Sequence, residues 1–167
     1  PDIREQLLAR RWACSILDEA HFFRTRGAKR TRLWLGVYGR PAARTIVSRS
    51  DRCWLLSGTP APNDVSELWA PLFGLWPERL QLDGTGFTLP FSKFRERFCD
   101  LQATRYGEGV KVIGNKRAAL PELKRRLDGL FLRRMKRDHL DLPAVRWETV
   151  TVRPDELPAE LAALEQQ

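Results

Sequence analysis

The chain has 167 residues, 43% of them hydrophobic, with six Trp and eight Phe; that suits one compact domain with a real core and excludes wholesale disorder. Its formal charge of +8 favours a polyanionic partner, nucleic acid being the commonest, although Arg used as the general surface cation would give the same total. Cys14, Cys53 and Cys99 form no C-x-x-C pair, which argues against a zinc site or a disulfide framework, and no apolar stretch is long enough to span a bilayer.

In chain order, Pro1 to Arg10 reads as the interior of a helical segment, as though the chain started inside a larger gene product or had been trimmed. Trp12 to Leu17 is a short apolar run ending abruptly in charge, the pattern of a fully buried central strand in a parallel sheet. A basic stretch from Arg24 to Arg40 and a helix opened by Pro41 lead to a second such run, Cys53 to Leu56. Strand, helical crossover, strand predicts an α/β fold. Cys14 and Cys53 lie in these runs and read as buried, reduced thiols, which suits a reducing cytoplasm.

Asp64 and Glu67 have capping-box spacing and open a helix to about Leu75, with Leu68, Leu72 and Leu75 on one face beside Trp69 and Trp76. Gln81 to Leu89 reads as a loop, broken by Gly84 and Gly86. Phe91, Phe94 and Phe98 then recur at helical spacing among Lys93, Arg95 and Arg97. Gly107, Gly109 and Gly114 mark a loop or small hairpin, and Pro121 opens a helix with Leu123, Leu127 and Leu130 on one stripe. Trp147 to Val152 reads as a strand, and Asp155 onward as a short helix or tail.

The chemistry concentrates at Asp18-Glu19-Ala20-His21, directly after the first strand. In open α/β sheets ligands bind at the carboxyl ends of the strands. Two adjacent carboxylates at such a tip direct one toward a bound cation and the other toward a nearby water. Mg²⁺ prefers oxygen ligands, keeps several waters and needs only one or two carboxylates beside substrate phosphates. Asp18 is therefore the natural Mg²⁺ partner, through water, and Glu19 is placed to orient and deprotonate the water that attacks the γ-phosphorus of ATP. For a bare Asp-Glu pair a solvated acidic turn would be the better reading; the whole tetrad behind an apolar strand favours the cation site.

Ile16 to His21 resembles the Walker B motif of superfamily-two helicases in its DEAH form. Trp54 to Asn63, followed by Glu67-Leu68-Trp69, resembles motif III of the Swi/Snf-like branch. Phe91 to Phe98 is similar to the helical protrusion that family inserts after motif III. Phe131-Leu132-Arg133-Arg134-Met135-Lys136-Arg137-Asp138, then Leu142-Pro143, resembles its leucine-arginine-arginine-x-lysine signature, and Gly107 to Leu123 looks like the compact prokaryotic and phage members and the annealing-helicase branch.

The resemblance implies an α/β fold that is the C-terminal half of a RecA-like P-loop NTPase lobe, a parallel sheet with an α-helical protrusion. It implies part of an ATP- and Mg²⁺-dependent translocase acting on double-stranded or branched DNA, in the cytoplasm of a prokaryote or phage. Ser57, Gly58 and Thr59 would link nucleotide state to DNA grip, and His21 would bridge toward their turn. Residues 1–82 would be the partial lobe, 83–145 the protrusion, and 146–167 a return strand and the start of a linker to a second lobe. No Gly-x-x-x-x-Gly-Lys-Ser/Thr string is present; after Gly109 to Gly114, Asn115 stands where Lys is required. The family's P-loop is thus expected upstream of Pro1 and its second lobe after Gln167.

Arg24, Arg26, Lys29, Arg30 and Arg32 cluster after the tetrad, and Lys124, Arg125 and Arg126 precede the Arg133, Arg134, Lys136 and Arg137 group. Tracking a sugar-phosphate backbone calls for distributed cations with no base code, and the Phe residues sit at core spacing rather than as stacking platforms. Arg133, Arg134 and Lys136 are the candidate duplex contacts; for any single Arg, a solvated helix face or an ion pair with Glu122, Asp128 or Asp138 is the better reading. The other functional readings are a truncated, catalytically inactive basic DNA-binding remnant and a restriction or RNA-type DEAH helicase fragment.

Overall fold

A computed structural model describes residues 2–36, 45–82, 85–104, 109–135, 138, 141, 143 and 146–149. The chain divides into two compact units, Pro1–Phe131 and Leu132–Gln167, each described by itself.

The first unit opens with helix α1, Ile3–Ala9, whose first turn is capped by Asp2 accepting from the Arg4 N–H at 3.2 Å. Trp12 anchors the approach to the sheet, its indole donating to the Leu7 carbonyl at 3.0 Å and its backbone bridging Ser50 in the parallel sense. Strands β1 (Ser15–Leu17) and β2 (Cys53–Leu55) then form a two-stranded parallel sheet, with Ile16 opposite Trp54 and Leu17 opposite Leu55. Helix α2, Lys29–Trp34, lies in the crossover between them, within the stretch that the sequence marked only as basic. The helix expected from Pro41 lies outside the described residues.

The strands are not buried on both faces, as their apolar runs had suggested. Ser15 and Leu17 are buried, whereas Ile16, Trp54 and Leu56 are 54%, 58% and 46% exposed. Side chains alternate across a strand, and the described residues cover one face only. Cys14 shares the parity of Ile16 and is exposed rather than buried; Cys53 is half-buried. Burial comes first in raising the Cys53 pKa, and the neighbouring Cys14 adds to it against a hydrogen bond with Ser15.

After β2 the chain passes through the Ser57–Asn63 loop into a 3-10 turn, Val65–Leu68, that runs on as helix α3, Trp69–Leu75. Asp64 caps this start by accepting from the Ser66 N–H at 2.8 Å. Helix α4 spans Phe91–Phe98, followed by an antiparallel hairpin of β3 (Cys99–Ala103) and β4 (Val110–Asn115) and by helix α5, Leu120–Leu127. The Gly109–Gly114 segment is therefore largely hairpin strand.

One apolar cluster joins these parts: Leu68, Trp69, Leu72, Leu80, Leu89, Phe94, Phe98 and Leu123. Burying each such large side chain is worth about 1.5–3 kcal/mol. Trp69 also donates its indole N–H to the Leu89 carbonyl at 2.9 Å, which satisfies its one polar group inside the core. The cluster runs across residue 82, so α3 and the α4–hairpin–α5 segment share one interior.

In the second unit, Leu132 to Met135 and Trp147 to Thr149 carry no helix or strand. Trp147 is 92% exposed. The strand expected from Trp147 is not formed over the residues described, because a strand needs a paired ladder and none faces it among them. Val150–Val152, and the helix or tail expected from Asp155, lie outside the described residues.

Candidate functional site

The acidic tetrad and the Ser57 turn lie side by side, and the backbone fixes them there. The Leu56 N–H donates to the Leu17 carbonyl at 2.9 Å, and the Ala20 N–H donates to the Leu56 carbonyl at 2.8 Å. The parallel ladder thus continues past the ends of both strands into the tetrad itself. Asp18 and Glu19 are both exposed at this tip.

Glu19 has φ 48° and ψ 49°, a left-handed conformation that costs a non-glycine residue about 1–2 kcal/mol. Its N–H donates to Asp18 Oδ1 at 2.8 Å and its carbonyl accepts from the Phe22 N–H at 2.9 Å. Those bonds hold the turn. A 3-10 turn, Ala20–Phe23, follows.

Among the described residues no hydrogen bond joins His21 to the Ser57 turn. Its ring packs on Phe22 at 4.3 Å, and Nδ1 lies 3.1 Å from Glu19 Oε2 without hydrogen-bond geometry. The link between the two segments is made by the Ala20 main chain instead. In the turn itself, Ser57 is half-buried and Gly58 and Thr59 are exposed. The Thr59 N–H donates to Ser57 Oγ at 3.2 Å, and nothing stands within 4 Å of where a Gly58 Cβ would be.

Sequence reasoning missed the role of Glu67. Capping-box spacing directs it back to Asp64, but its carboxylate lands one residue earlier. Oε1 accepts from Asn63 Nδ2 at 2.6 Å, Oε2 accepts from the Asn63 N–H at 3.3 Å, and Arg24 Nε lies 3.3 Å from Oε1. The capping-box spacing was the available signal, with its partner misassigned.

The first basic cluster is largely committed to the fold. Arg24 pairs with Glu67; Arg26 stands 4.7 Å over the Phe91 ring; Arg30 covers Phe22 at 5.2 Å and donates to its carbonyl at 2.8 Å. The side chains of Lys29 and Arg32 are exposed and make no hydrogen bond or ion pair with other described residues. Arg126 is committed as well, to Glu122 and to the Arg79 and Gln81 carbonyls, while Lys124 and Arg125 are exposed. Arg133 and Arg134, exposed and outside regular structure, belong to the second unit. Lys136 and Arg137 lie outside the described residues.

Residues 1–161 match the SNF2-related domain. The chain belongs to this family. It is 28% identical over 125 residues to the DNA annealing helicase and endonuclease ZRANB3 of Bos taurus, covering 75% of this chain and 10% of that protein. It is 32% identical over 130 residues to Helicase SWR1 of Gibberella zeae, covering 77% and 7%. A SWI/SNF-related matrix-associated actin-dependent regulator of chromatin subfamily A-like protein 1, from Xenopus laevis, is 28% identical over 161 residues, covering 95% and 15%. The SNF2-related chain thus spans a small part of the curated relatives it matches. These relatives are eukaryotic, which gives the expected prokaryotic or phage source no support. No solved structure is matched. Among the described residues no helix is long and apolar enough to cross a membrane.

Proposed function

We propose that this SNF2-related chain is the part of a RecA-like lobe that carries the hydrolytic acids of an ATP-driven translocase on double-stranded DNA, together with the loop that senses them. The observation that carries the reading is the Ala20-to-Leu56 hydrogen bond. It sets the tetrad beside the Ser57-Gly58-Thr59 turn at the carboxyl end of a parallel sheet, where ligands of open α/β folds bind. The names of the relatives, a DNA annealing helicase and a helicase, support DNA as the track.

Among the described residues no group of three or more His, Cys, Asp or Glu stands ready to hold a metal ion. The two exposed acids at the strand tip nevertheless fit Mg²⁺, because the ion takes one or two carboxylates and completes its shell with water and phosphate oxygens. Asp18 would hold it through water, and when bound it would neutralise charge on the terminal phosphates of ATP. Glu19 orients a water and accepts its proton at a carboxylate oxygen; the left-handed turn fixes where that carboxylate starts. Ser57, Gly58 and Thr59, exposed or half-buried and lightly bonded, are free to change shape when the tetrad's surroundings change. Arg133, Arg134 and Lys136 supply phosphate contacts without base readout.

The test uses a protein in which this chain is joined to a P-loop segment and a second lobe. Glu19→Gln keeps the side chain's size and removes the base, so kcat is expected to fall about 10²–10⁴-fold with nucleotide binding retained. Normal hydrolysis by that variant would remove the base role. Duplex DNA should stimulate turnover more than single strands or RNA; the opposite order would favour an RNA-type helicase. The 167 residues alone contain no P-loop string and are expected to show no ATP turnover and only salt-sensitive DNA binding.

A further inference from the structure

The Ser57–Asn63 loop is an arch whose two feet both rest on the segment that carries the tetrad. Its near foot is the Leu56 main chain, bonded to Leu17 and Ala20. Its far foot is Asn63, held through both its main-chain and side-chain N–H by Glu67, whose carboxylate also faces Arg24. Arg24 follows directly on the 3-10 turn that His21 belongs to. The crown between the feet is lightly held, with one internal hydrogen bond, from Thr59 to Ser57, and open space around Gly58.

Glu67 is well suited to such a tie. Its side chain is only 13% exposed, so the carboxylate is held in place although Asn63, its partner, is itself exposed. Its own base is rigid: Asp64 caps the turn that carries it, the Val65 N–H donates to Asn115 Oδ1 at 3.0 Å, and Leu68 and Trp69 sit in the core. A carboxylate accepting two N–H groups and facing a guanidinium is a charge-assisted cluster, stronger than a neutral one.

We propose that Glu67 is a positioning residue: by tying Asn63 to Arg24 it holds the far foot of the arch in register with the acidic tetrad. The inference rests on the proposed hydrolytic role of that tetrad and names a residue through which it acts.

Two measurements test it. In the 167-residue chain, Glu67→Ala is expected to speed amide exchange at Asn63 about tenfold, the loss of one charge-assisted hydrogen bond, while Leu72 in α3 keeps its protection. Glu67→Gln has one acceptor oxygen for the two Asn63 donors and no charge, so it should keep only part of the Asn63 protection. Unchanged exchange at Asn63, or an equal loss at Leu72, would overturn the tie. In the longer protein, Glu67→Ala should lower DNA-stimulated kcat about tenfold with the ATP KM within about twofold, the split expected when a transition-state interaction is lost. The double variant with Arg24→Ala should be no worse than Glu67→Ala alone. A wild-type kcat, or strictly additive losses, would overturn the positioning role. A parent protein without DNA-stimulated turnover would instead defeat the proposed function, and the exchange experiment would still decide whether Glu67 makes the tie.

Discussion

Gly74, near the end of α3, meets Leu35, the residue that caps the end of α2. A Cβ built on it would stand 2.7 Å from Leu35 Cβ, 2.8 Å from the Leu35 carbonyl oxygen and 3.0 Å from Leu35 Cα. Two of those atoms are backbone, and Leu35 itself is 1% exposed, so no flexible side-chain end is available to give way. Gly74→Ala therefore sets two effects against each other. Replacing Gly by Ala inside a helix favours folding by about 0.5–1 kcal/mol. Overpacking a close contact costs about 1–3 kcal/mol, and a backbone clash belongs to the upper part of that range. The net expectation is a destabilisation of about 1–2 kcal/mol, or a Tm lower by roughly 4–8 °C for a unit of this size. Urea unfolding followed by circular dichroism should show a lower midpoint with an unchanged slope. Gly58→Ala is the control, since nothing lies within 4 Å of its Cβ position; it should move stability by no more than about 0.5 kcal/mol. A Gly74→Ala variant as stable as the wild type would refute the packing of α3 against the crossover, and with it the frame that seats the Ser57 loop.

Two further outcomes follow from side-chain environments. Burial first, and then the nearby Asp64 carboxylate, push the Cys99 thiol up to about 11, so at pH 8 a thiol reagent should modify exposed Cys14 readily and leave Cys99 untouched until the chain unfolds; mass spectrometry of labelled peptides reads this directly, and fast labelling of native Cys99 would contradict its burial. Partial burial pushes Glu122 up, but hydrogen bonds from Arg97 at 2.8 and 3.0 Å and from Arg126 at 2.8 Å outweigh it and lower its pKa below the ordinary 4.5. A carboxylate depressed in the folded state adds stability that is present above pH 4.5 and is lost as pH falls through the folded value. Glu122→Gln should accordingly lose less stability than the wild type between pH 6 and pH 3 in thermal melts; equal losses would show that the pair of guanidiniums adds nothing.

The helices α4 and α5 were legible in the sequence because Phe94, Phe98 and Leu123 recur at helical spacing and end up buried together. The parallel pair was legible because two apolar runs flank a crossover. What the sequence hid depends on contacts between distant residues. Nothing local tells that Arg30 caps the Phe22 carbonyl rather than facing solvent, or that Glu67 reaches Asn63 rather than Asp64. An apolar run likewise cannot say how many of its faces are covered, and Ile16, Trp54 and Cys14 were misread for that reason. The adjacency of tetrad and turn was expected from the resemblance, but the group that joins them, a main-chain amide rather than His21, was visible only in three dimensions.

The left-handed backbone at Glu19 carries an evolutionary consequence. Among all residues, Gly takes such a conformation most cheaply, with Asn and Asp next. Selection for stability alone would drift the position toward one of them. Gly would delete the carboxylate, Asn would neutralise it, and Asp would withdraw it by a methylene. If Glu19 does the chemistry proposed for it, this is a place where the fold is held below its own optimum, and a stabilising substitution there would mark a lineage that has given up hydrolysis.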